Sequence, residues 1–253
     1  MGISADPRFF VGFLLAATRC GAFLTVAPPF QGAVPAKIRA GLSVALGLAL
    51  APHMATLTDL PVSNTAALLA AIVFQVGIGL ALGTLVFVLF QAAQAAGSAI
   101  DTFAGLTAAS LYDPMSRSNS SPMGRMYQML GTLILFTTGG HLMIVGGLVR
   151  SFDAAPLTGF HADRLAELLT VALGQFLLSA LQIAAPLLGA LFVTELLLGL
   201  ASKAAPQLNI LVVGFGVKGL VLITLSAAAF PLLVIVVPKI TDQALDAMGA
   251  LLR

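Results

Sequence analysis

The stretch that most restricts the fold of this chain is residues 66–100, which carry no charged side chain over about 35 residues. Apolar runs of more than about 18 residues are typical of membrane-spanning helices. A straight helix of this length would measure roughly 52 Å, because an α-helix rises ~1.5 Å per residue, whereas the hydrocarbon core of a bilayer is ~30 Å thick. The run therefore predicts an apolar helix that is longer than a bilayer requires.

Charge-poor runs of the same kind recur along the chain, at about 9–30, 40–56, 66–100, 126–149, 165–201 and 208–238. The composition agrees, since 59% of the 253 residues are hydrophobic, 9% are charged and the mean hydropathy is +1.04. Ordinary soluble domains carry about 25% charged residues. We therefore expect an all-α, multi-helix, membrane-associated protein with long, kinked helical hairpins and about six apolar segments, forming a single domain over residues 1–253.

The apolar segments differ in length more than a plain six-pass bundle requires. The second is short and is closed by Pro52 and His53, whereas the fifth is long and carries Pro186, where a kink is expected. The basic residues divide about five against five between the two sides of a six-span arrangement, so the positive-inside rule gives no orientation. Much of the surface is therefore expected to face other proteins, the alternative being a six-pass protein with irregular helices.

Residues 186–219 form two apolar arms around a short polar break, Ser202–Asn209, in which Pro206 favours a turn. The arms are expected to form a helical hairpin. Glu195 lies about eleven residues before Pro206 and Lys218 about twelve after it, so the two charges reach similar depth if both arms are helical. Because a charge inside an apolar helix is costly, the two side chains either pair with each other or reach separately toward water.

Two other polar features interrupt the apolar pattern. Arg19 lies inside the first apolar segment, where an arginine is expected either to face a polar seam of an assembly or to extend toward water. The longest polar stretch is Asp101–Arg125, whose proline, serine and asparagine residues mark a loop. Since this loop keeps several apolar residues, it could pack into another structure, although a plain surface connection is the alternative.

No pattern in the sequence indicates an enzyme, a cofactor site or a nucleic-acid-binding protein. His53, His141 and His161 are far apart, with no cysteine or carboxylate at ligand spacing, so no metal site is predicted. Residues 214–216 lack the strand, the remaining glycines and the acidic residue of a dinucleotide site. The net charge of +2, without a basic patch, gives no reason to expect nucleic acid. Cys20 is the only cysteine, which excludes an internal disulfide.

The polar break and its two arms resemble the C-terminal signature of the flagellar biosynthetic protein FliR family, called SctT in type III secretion systems. The matching residues are Pro186, Glu195, Leu198, Gly199, Leu200, Pro206, Gln207, Leu208, Asn209, Gly214, Phe215 and Lys218. The resemblance extends over nearly the whole chain, with further matches at Arg19, Val34, Pro35, Arg39, Gly41, Leu42, Gly97, Ile100, Asp101, Gly105, Asp113, Pro114, Phe136, Gly140, His141, Arg150, Ser151, Phe152 and Pro156. The chain departs from the family at Gly216, where proline is common, and at Gly139, where asparagine is usual.

The resemblance implies a structural subunit of the flagellar type III protein export gate, in the bacterial inner membrane and the flagellar basal body, which helps to form and seal the pore for unfolded secreted proteins. It implies the partners FliP, FliQ and FlhB, with FlhA in addition, and no cofactor. In the family, the loop in the position of Asp101–Arg125 plugs the pore. The expected plug residues are Gly105, Leu106, Leu111, Tyr112, Asp113, Pro114 and Met115, and the expected hairpin turn is Pro206, Gln207 and Asn209.

Two alternatives come from other functional classes. A small-solute secondary transporter would tend to show an inverted repeat and polar residues near the midplane of the membrane, and this sequence shows no repeat and few internal charges. A membrane-embedded enzyme would need a catalytic cluster, and none is apparent in the sequence. The interpretation as an export-gate subunit is therefore preferred, with a flagellar system favoured over a virulence-type one.

Overall fold

The computed structural model describes residues 6–28, 30, 34–56, 60, 64–107, 121–155, 162–207 and 209–251, and within these ranges all regular structure is helical. The helices are α1 Pro7–Val26, α2 Ala36–Ala55, α3 Thr65–Ala104, α4 Pro122–Thr137, α5 Gly140–Ala154, α6 Ala162–Ala204 and α7 Ile210–Leu251. The prediction of an all-α chain is therefore confirmed for the described residues.

Four of these helices, α1, α2, α3 and α6, are each long and apolar enough to cross a membrane. Two more candidate spans arise if α4 and α5 count together as one bent span and the two halves of α7 count as another. The described part of the chain thus contains four to six candidate spans, in agreement with the expectation of about six apolar segments.

Three helices exceed the length that a bilayer requires. Helix α3 has 40 residues, α6 has 43 and α7 has 42, which corresponds to roughly 60–65 Å each at ~1.5 Å per residue. Helix α6 continues through Pro186, and α7 contains Pro231 and Pro238. Since a hydrocarbon core is ~30 Å thick, an unbent helix of this length would extend well beyond the lipid tails, and α7 is bent by 54° between its two halves.

Helix starts follow the local sequence closely in two places. Asp6 caps α1, its carboxylate accepting a hydrogen bond from the Arg8 N–H at 3.0 Å, and Pro7 is the first helical residue. Ser121 caps α4, its hydroxyl accepting from the Gly124 N–H at 2.9 Å, and Pro122 follows it. A capping oxygen followed by proline is a strong start signal, because the cap satisfies a free amide and proline needs no N–H at that position.

The structure divides the predicted apolar segment 126–149 between α4 and α5, which together form one candidate span bent by 73°. Gly139 lies at the break in the left-handed region, with φ 75°, and it precedes the first residue of α5. Glycine adopts this conformation without steric cost, and asparagine does so more readily than most residues. The FliR resemblance, in which asparagine is usual at this position, is therefore compatible with the same break.

The second predicted segment, 40–56, also differs from the observed helix. Helix α2 begins earlier, at Ala36 directly after Pro35, and ends at Ala55, so that Pro52 lies inside the helix instead of closing it. Within the helix, Pro52 forfeits its own N–H hydrogen bond, while the chain continues for three more helical residues.

The described residues group into two compact units. The first takes its residues from Met1–Leu89, Gly139–Leu173 and Thr241–Arg253, and the second takes its residues from Phe90–Thr138 and Gly174–Ile240. Helices α3, α6 and α7 each contribute residues to both units. The sequence prediction of one domain over the whole chain stays a prediction.

Within the first unit, α1 packs closely against α2 and α3. A Cβ built onto Gly47 would lie 2.7 Å from the Cβ of Ala17, and one built onto Gly79 would lie 2.5 Å from the Arg19 carbonyl oxygen. Gly83 allows a similar approach to Phe23. The G-x-x-x-G pattern from Gly79 to Gly83 therefore faces α1, and a side chain at Gly79 would force the two helices apart.

Candidate functional site

Arg19 is fully buried within the first unit, in the middle of α1. Its Nε donates to the side-chain oxygen of Gln75 on α3 at 2.6 Å. One terminal nitrogen donates to the Ser151 carbonyl at 2.7 Å and to the Ser151 hydroxyl at 3.1 Å, and the other donates to the Ala155 carbonyl. The guanidinium carbon also lies 4.2 Å from the centroid of the Phe152 ring.

These partners explain how a charged group is accommodated inside an apolar protein. Ser151 is in the last turn of α5 and Ala155 is its C-cap, so their carbonyls belong to the end of the helix that carries partial negative charge. The planar guanidinium can donate to several acceptors at once and can stack on an aromatic ring. The sequence prediction for Arg19 left open a polar seam of an assembly or extension toward water; the structure places its polar partners within the chain itself.

Asp101, in the second unit, contacts the N-terminus of a helix, whereas Arg19 contacts a C-terminus. It is fully buried near the end of α3, and its Oδ2 accepts from the Met123 N–H at 2.9 Å and the Gly124 N–H at 3.4 Å. The Ser121 hydroxyl donates to the same oxygen. Because these donors form the first turn of α4, a carboxylate there is favoured both by hydrogen bonds and by the helix dipole.

The Asp101 contacts join the two ends of the polar loop. Gly97, one turn earlier on α3, permits this approach, because a Cβ built there would lie 2.5 Å from the Met123 carbonyl oxygen. The last residue of α3 is Ala104 and the first of α4 is Pro122, so both ends of the predicted loop Asp101–Arg125 are helical instead. The end of α3 and the start of α4, between which the loop runs, are thus held together by the buried Asp101 carboxylate.

Only the beginning of the predicted plug lies within the described residues. Gly105 follows α3 in the left-handed region, with φ 81°, and the Leu106 N–H donates to the Asp101 carbonyl at 3.0 Å. A Cβ built onto Gly105 would lie 3.3 Å from the Phe215 ring on α7. The remaining predicted plug residues, Leu111, Tyr112, Asp113, Pro114 and Met115, lie outside the described residues.

The predicted hairpin is present between α6 and α7. Helix α6 ends at Ala204 and α7 begins at Ile210, so Pro206, Gln207 and Asn209 lie in the connection. The Asn209 carbonyl accepts from the Val213 N–H at 3.2 Å, in the first turn of α7.

Glu195 and Lys218 form an ion pair across this hairpin, between the Glu195 Oε2 and the Lys218 Nζ. The two partners differ in exposure, since the Lys218 side chain is 18% exposed and that of Glu195 is 62% exposed. A pair that is open to solvent on one side contributes about 0–1 kcal/mol. Phe215, which approaches Gly105, lies one helical turn before Lys218. The start of the loop and the charged hairpin are therefore neighbours.

Helix α6 buries only a narrow stripe within the second unit. Ser179, Ile183, Leu187 and Leu191 recur every four residues and are buried. Large apolar side chains cover much of the rest of this part of the helix and are about half or more exposed, namely Leu177, Leu178, Leu181, Phe192, Val193, Leu196, Leu197 and Leu200. Exposed apolar patches of this extent mark contact with lipid or with other proteins.

Sequence reasoning missed the partners of Arg19 and the role of Asp101. Gln75 offered a signal for the first, since it is a polar residue inside the charge-free run 66–100 and needs a hydrogen-bond partner if buried. Ser121 followed by Pro122 offered a signal for the second, because it marks a helix start whose free amides attract a carboxylate. No group of three or more His, Cys, Asp or Glu side chains among the described residues is placed to hold a metal ion.

The fold and these contacts define a class of protein: a multi-pass, all-α chain of long helices whose few internal charges are held by helix ends or by a hairpin partner. The profile of the family described as "Bacterial export proteins, family 1" matches residues 10–244. The chain belongs to this family.

Individual relatives agree with the family match. The chain is 36% identical over 214 residues to the flagellar biosynthetic protein FliR of Escherichia coli (strain K12), covering 84% of this chain and 81% of that protein. It is 27% identical to the protein of the same name from Bacillus subtilis (strain 168), covering 96% and 95%. It is also 30% identical to the Yop proteins translocation protein T of Yersinia pestis, covering 83% and 79%.

Proposed function

We propose that this chain is a structural subunit of a flagellar type III protein export gate, where it helps to form and seal the pore for unfolded flagellar proteins. The observation that carries the proposal is the match of residues 10–244 to a family of export proteins. Identity to the flagellar relative from Escherichia coli is 36% and identity to the Yersinia translocation protein is 30%, which favours a flagellar over a virulence-type system. No relative described above is named as a solute transporter or an enzyme.

The proposed surroundings are the other gate subunits FliP, FliQ and FlhB, with FlhA nearby, in the inner membrane at the flagellar basal body. Helices of 40–43 residues supply more length than lipid tails can cover. Exposed leucines and a phenylalanine on α6 supply the apolar surface that such neighbours would bury. Neighbouring helices are thus a better complement to this surface than lipid alone.

The seal is proposed to be the polar loop, which begins at Gly105. Its base is fixed by Asp101, while its first residue combines a left-handed glycine with a contact to Phe215. Because Asp101 holds the two helix ends together and Gly105 can adopt many backbone conformations, the loop can change position without unfolding α3 or α4. An idle pore would be filled by the apolar loop residues and opened by their displacement.

The hairpin charges are proposed to matter in the assembly more than in the isolated chain. Glu195 is largely exposed, and the surface beside it carries exposed Leu196 and Leu197. A neighbouring subunit that covered these leucines would also remove water from the ion pair. A desolvated pair tolerates the loss of one partner poorly, because the remaining charge is left buried and unpaired.

The experiment that tests the function is deletion of the gene in its own bacterium, followed by complementation with a tagged copy. Secretion of hook and filament proteins and swimming motility should be lost on deletion and return on complementation. The tagged chain, solubilised in mild detergent, should copurify with FliP and FliQ. Intact secretion of flagellar proteins in the deletion strain would contradict the proposal, and loss of only a virulence-type secreted set would reassign the system.

A further inference from the structure

A groove of about 410 Å³ lies between α5 and the last turns of α7, within the first unit. Its walls are apolar, with Leu142 and Met143 on one side and Met248 on the other. Its volume is in the range of small-molecule pockets in proteins, about 300–1,000 Å³. None of the residues that line it holds Arg19 or belongs to the polar loop described above.

Two glycines keep the groove open. A Cβ built onto Gly146 or onto Gly249 would have no atom within 4 Å, so each glycine faces space that a side chain could enter. Gly147 has the opposite role, because a Cβ there would lie 3.1 Å from Leu245 and from Met248. The helices therefore touch at Gly147 and separate beside it.

Arg150 is the charged residue of the groove lining. It is exposed, and in the described part of the chain no carboxylate lies within salt-bridge distance of it. This contrasts with Arg19 and Lys218, which have polar partners in the same chain. Arg150 also directly follows the apolar segment 126–149, a position at which arginine commonly reaches the polar headgroup level.

We propose that the groove binds one acyl chain of an anionic phospholipid, whose phosphate pairs with Arg150. From Leu142 to Arg150 the lining extends about 12 Å along α5, at ~1.5 Å per residue. An alkyl chain suits the narrow apolar floor, and a phosphate suits the single unpaired guanidinium at its end.

The test uses native mass spectrometry of the full-length protein in its detergent-solubilised complex. Phosphatidylglycerol, phosphatidylcholine with the same acyl chains, and inorganic phosphate are added separately. We expect retention of phosphatidylglycerol over phosphatidylcholine, and a loss of about tenfold in its affinity for Arg150→Gln, since one charge-assisted contact is removed. Gly146→Leu and Gly249→Leu fill the groove and should release both lipids. Arg164→Gln, which alters an exposed arginine outside the groove lining, is the matched control.

Three outcomes would overturn the proposal. Equal lipid retention by the wild type, Arg150→Gln and both leucine variants would place the lipid elsewhere. Binding of inorganic phosphate as tight as that of phosphatidylglycerol would show an anion site without a role for the acyl chain. Loss of a copurifying subunit from Gly146→Leu, with lipid retention unchanged, would show that a protein occupies the groove. Since the readout is lipid mass, failure of the lipid site would leave the export function proposed above standing, and that function is tested separately by secretion.

Discussion

Replacing Arg19 with methionine tests how far the first unit depends on one buried charge. Methionine keeps a long side chain but offers no donor, so Gln75 and the carbonyls of Ser151 and Ala155 each lose a hydrogen bond. A hydrogen bond to a charged group contributes about 1.5–3 kcal/mol, and the Ser151 carbonyl keeps the Ala155 N–H as a donor in the variant. Because the desolvation cost of the buried guanidinium offsets part of these three contributions, we expect the free energy of opening of this unit to fall by about 3 kcal/mol.

Cys20 provides the measurement, because it is the only cysteine of the chain, is fully buried and follows Arg19. Its alkylation requires local opening, so the labelling rate reports the opening equilibrium. A loss of about 3 kcal/mol corresponds to an increase in rate of roughly a hundredfold. A cation beside a thiol favours the reactive thiolate, so removing Arg19 would by itself slow the reaction and cannot explain an increase.

Two further variants make the Arg19 experiment specific. Arg19→Lys keeps the charge but loses the planar, multiply donating group and its stacking on Phe152, so its labelling rate should lie between those of the wild type and the methionine variant. Arg8→Gln changes an exposed arginine at the start of the same helix and should leave the rate unchanged. If Arg19→Met labels within about twofold of the wild type, the hydrogen bonds of Arg19 do not stabilise the first unit, and the reasoning fails.

The other predictions concern assembly, the hairpin and the loop. The chain expressed alone should aggregate and be rescued by FliP; a stable, monodisperse lone protein in mild detergent would count against this. Glu195→Ala should reduce motility, and the charge swap Glu195→Lys with Lys218→Glu should restore at least part of it. If single substitutions at Glu195 and at Lys218 both leave motility unchanged, the pair is unimportant. Deleting residues 105–116 should leave an assembled but leaky complex, and single-channel conductance equal to wild type would refute the seal. Asp101→Ala frees the base of the loop, so limited trypsin should cleave after Arg117 faster than in the wild type.

The sequence predicted the features that depend on nearby residues. The hairpin between α6 and α7 follows from Pro206 within a polar break, whereas the helix start at Pro122 was not predicted, although the preceding serine offered a signal for it. The break between α4 and α5 was not predicted, because the run 126–149 was delimited by its lack of charged residues, and Thr137, Thr138, Gly139 and Gly140 carry no charge. A left-handed glycine is a backbone property that hydropathy does not record.

Features that depend on distant residues could not be placed from the sequence. Arg19 is 56 residues from Gln75 and 132 from Ser151, and nothing in the local pattern joins them. The requirement for partners was predictable, since a buried charge needs them, but their identity depended on which helix ends near α1. Glu195 and Lys218 lie at similar distances from Pro206 on the two arms of one hairpin. Each could therefore be predicted from the sequence as a candidate partner of the other.

Arg19, Asp101 and the Glu195–Lys218 pair differ in how far water reaches them within the single chain. Arg19 and Asp101 are fully buried and are held by the ends of α5 and α4. The Glu195–Lys218 pair is instead open to solvent on the glutamate side, on a helix whose outward residues include exposed Phe192, Leu196 and Leu200. Lipid tails would solvate the charged pair poorly, and water would solvate the surrounding leucines poorly, so neither suits this surface. A neighbouring protein that covered the apolar side chains and the glutamate together would complete it, which is why the hairpin is the surface at which we expect the next subunit.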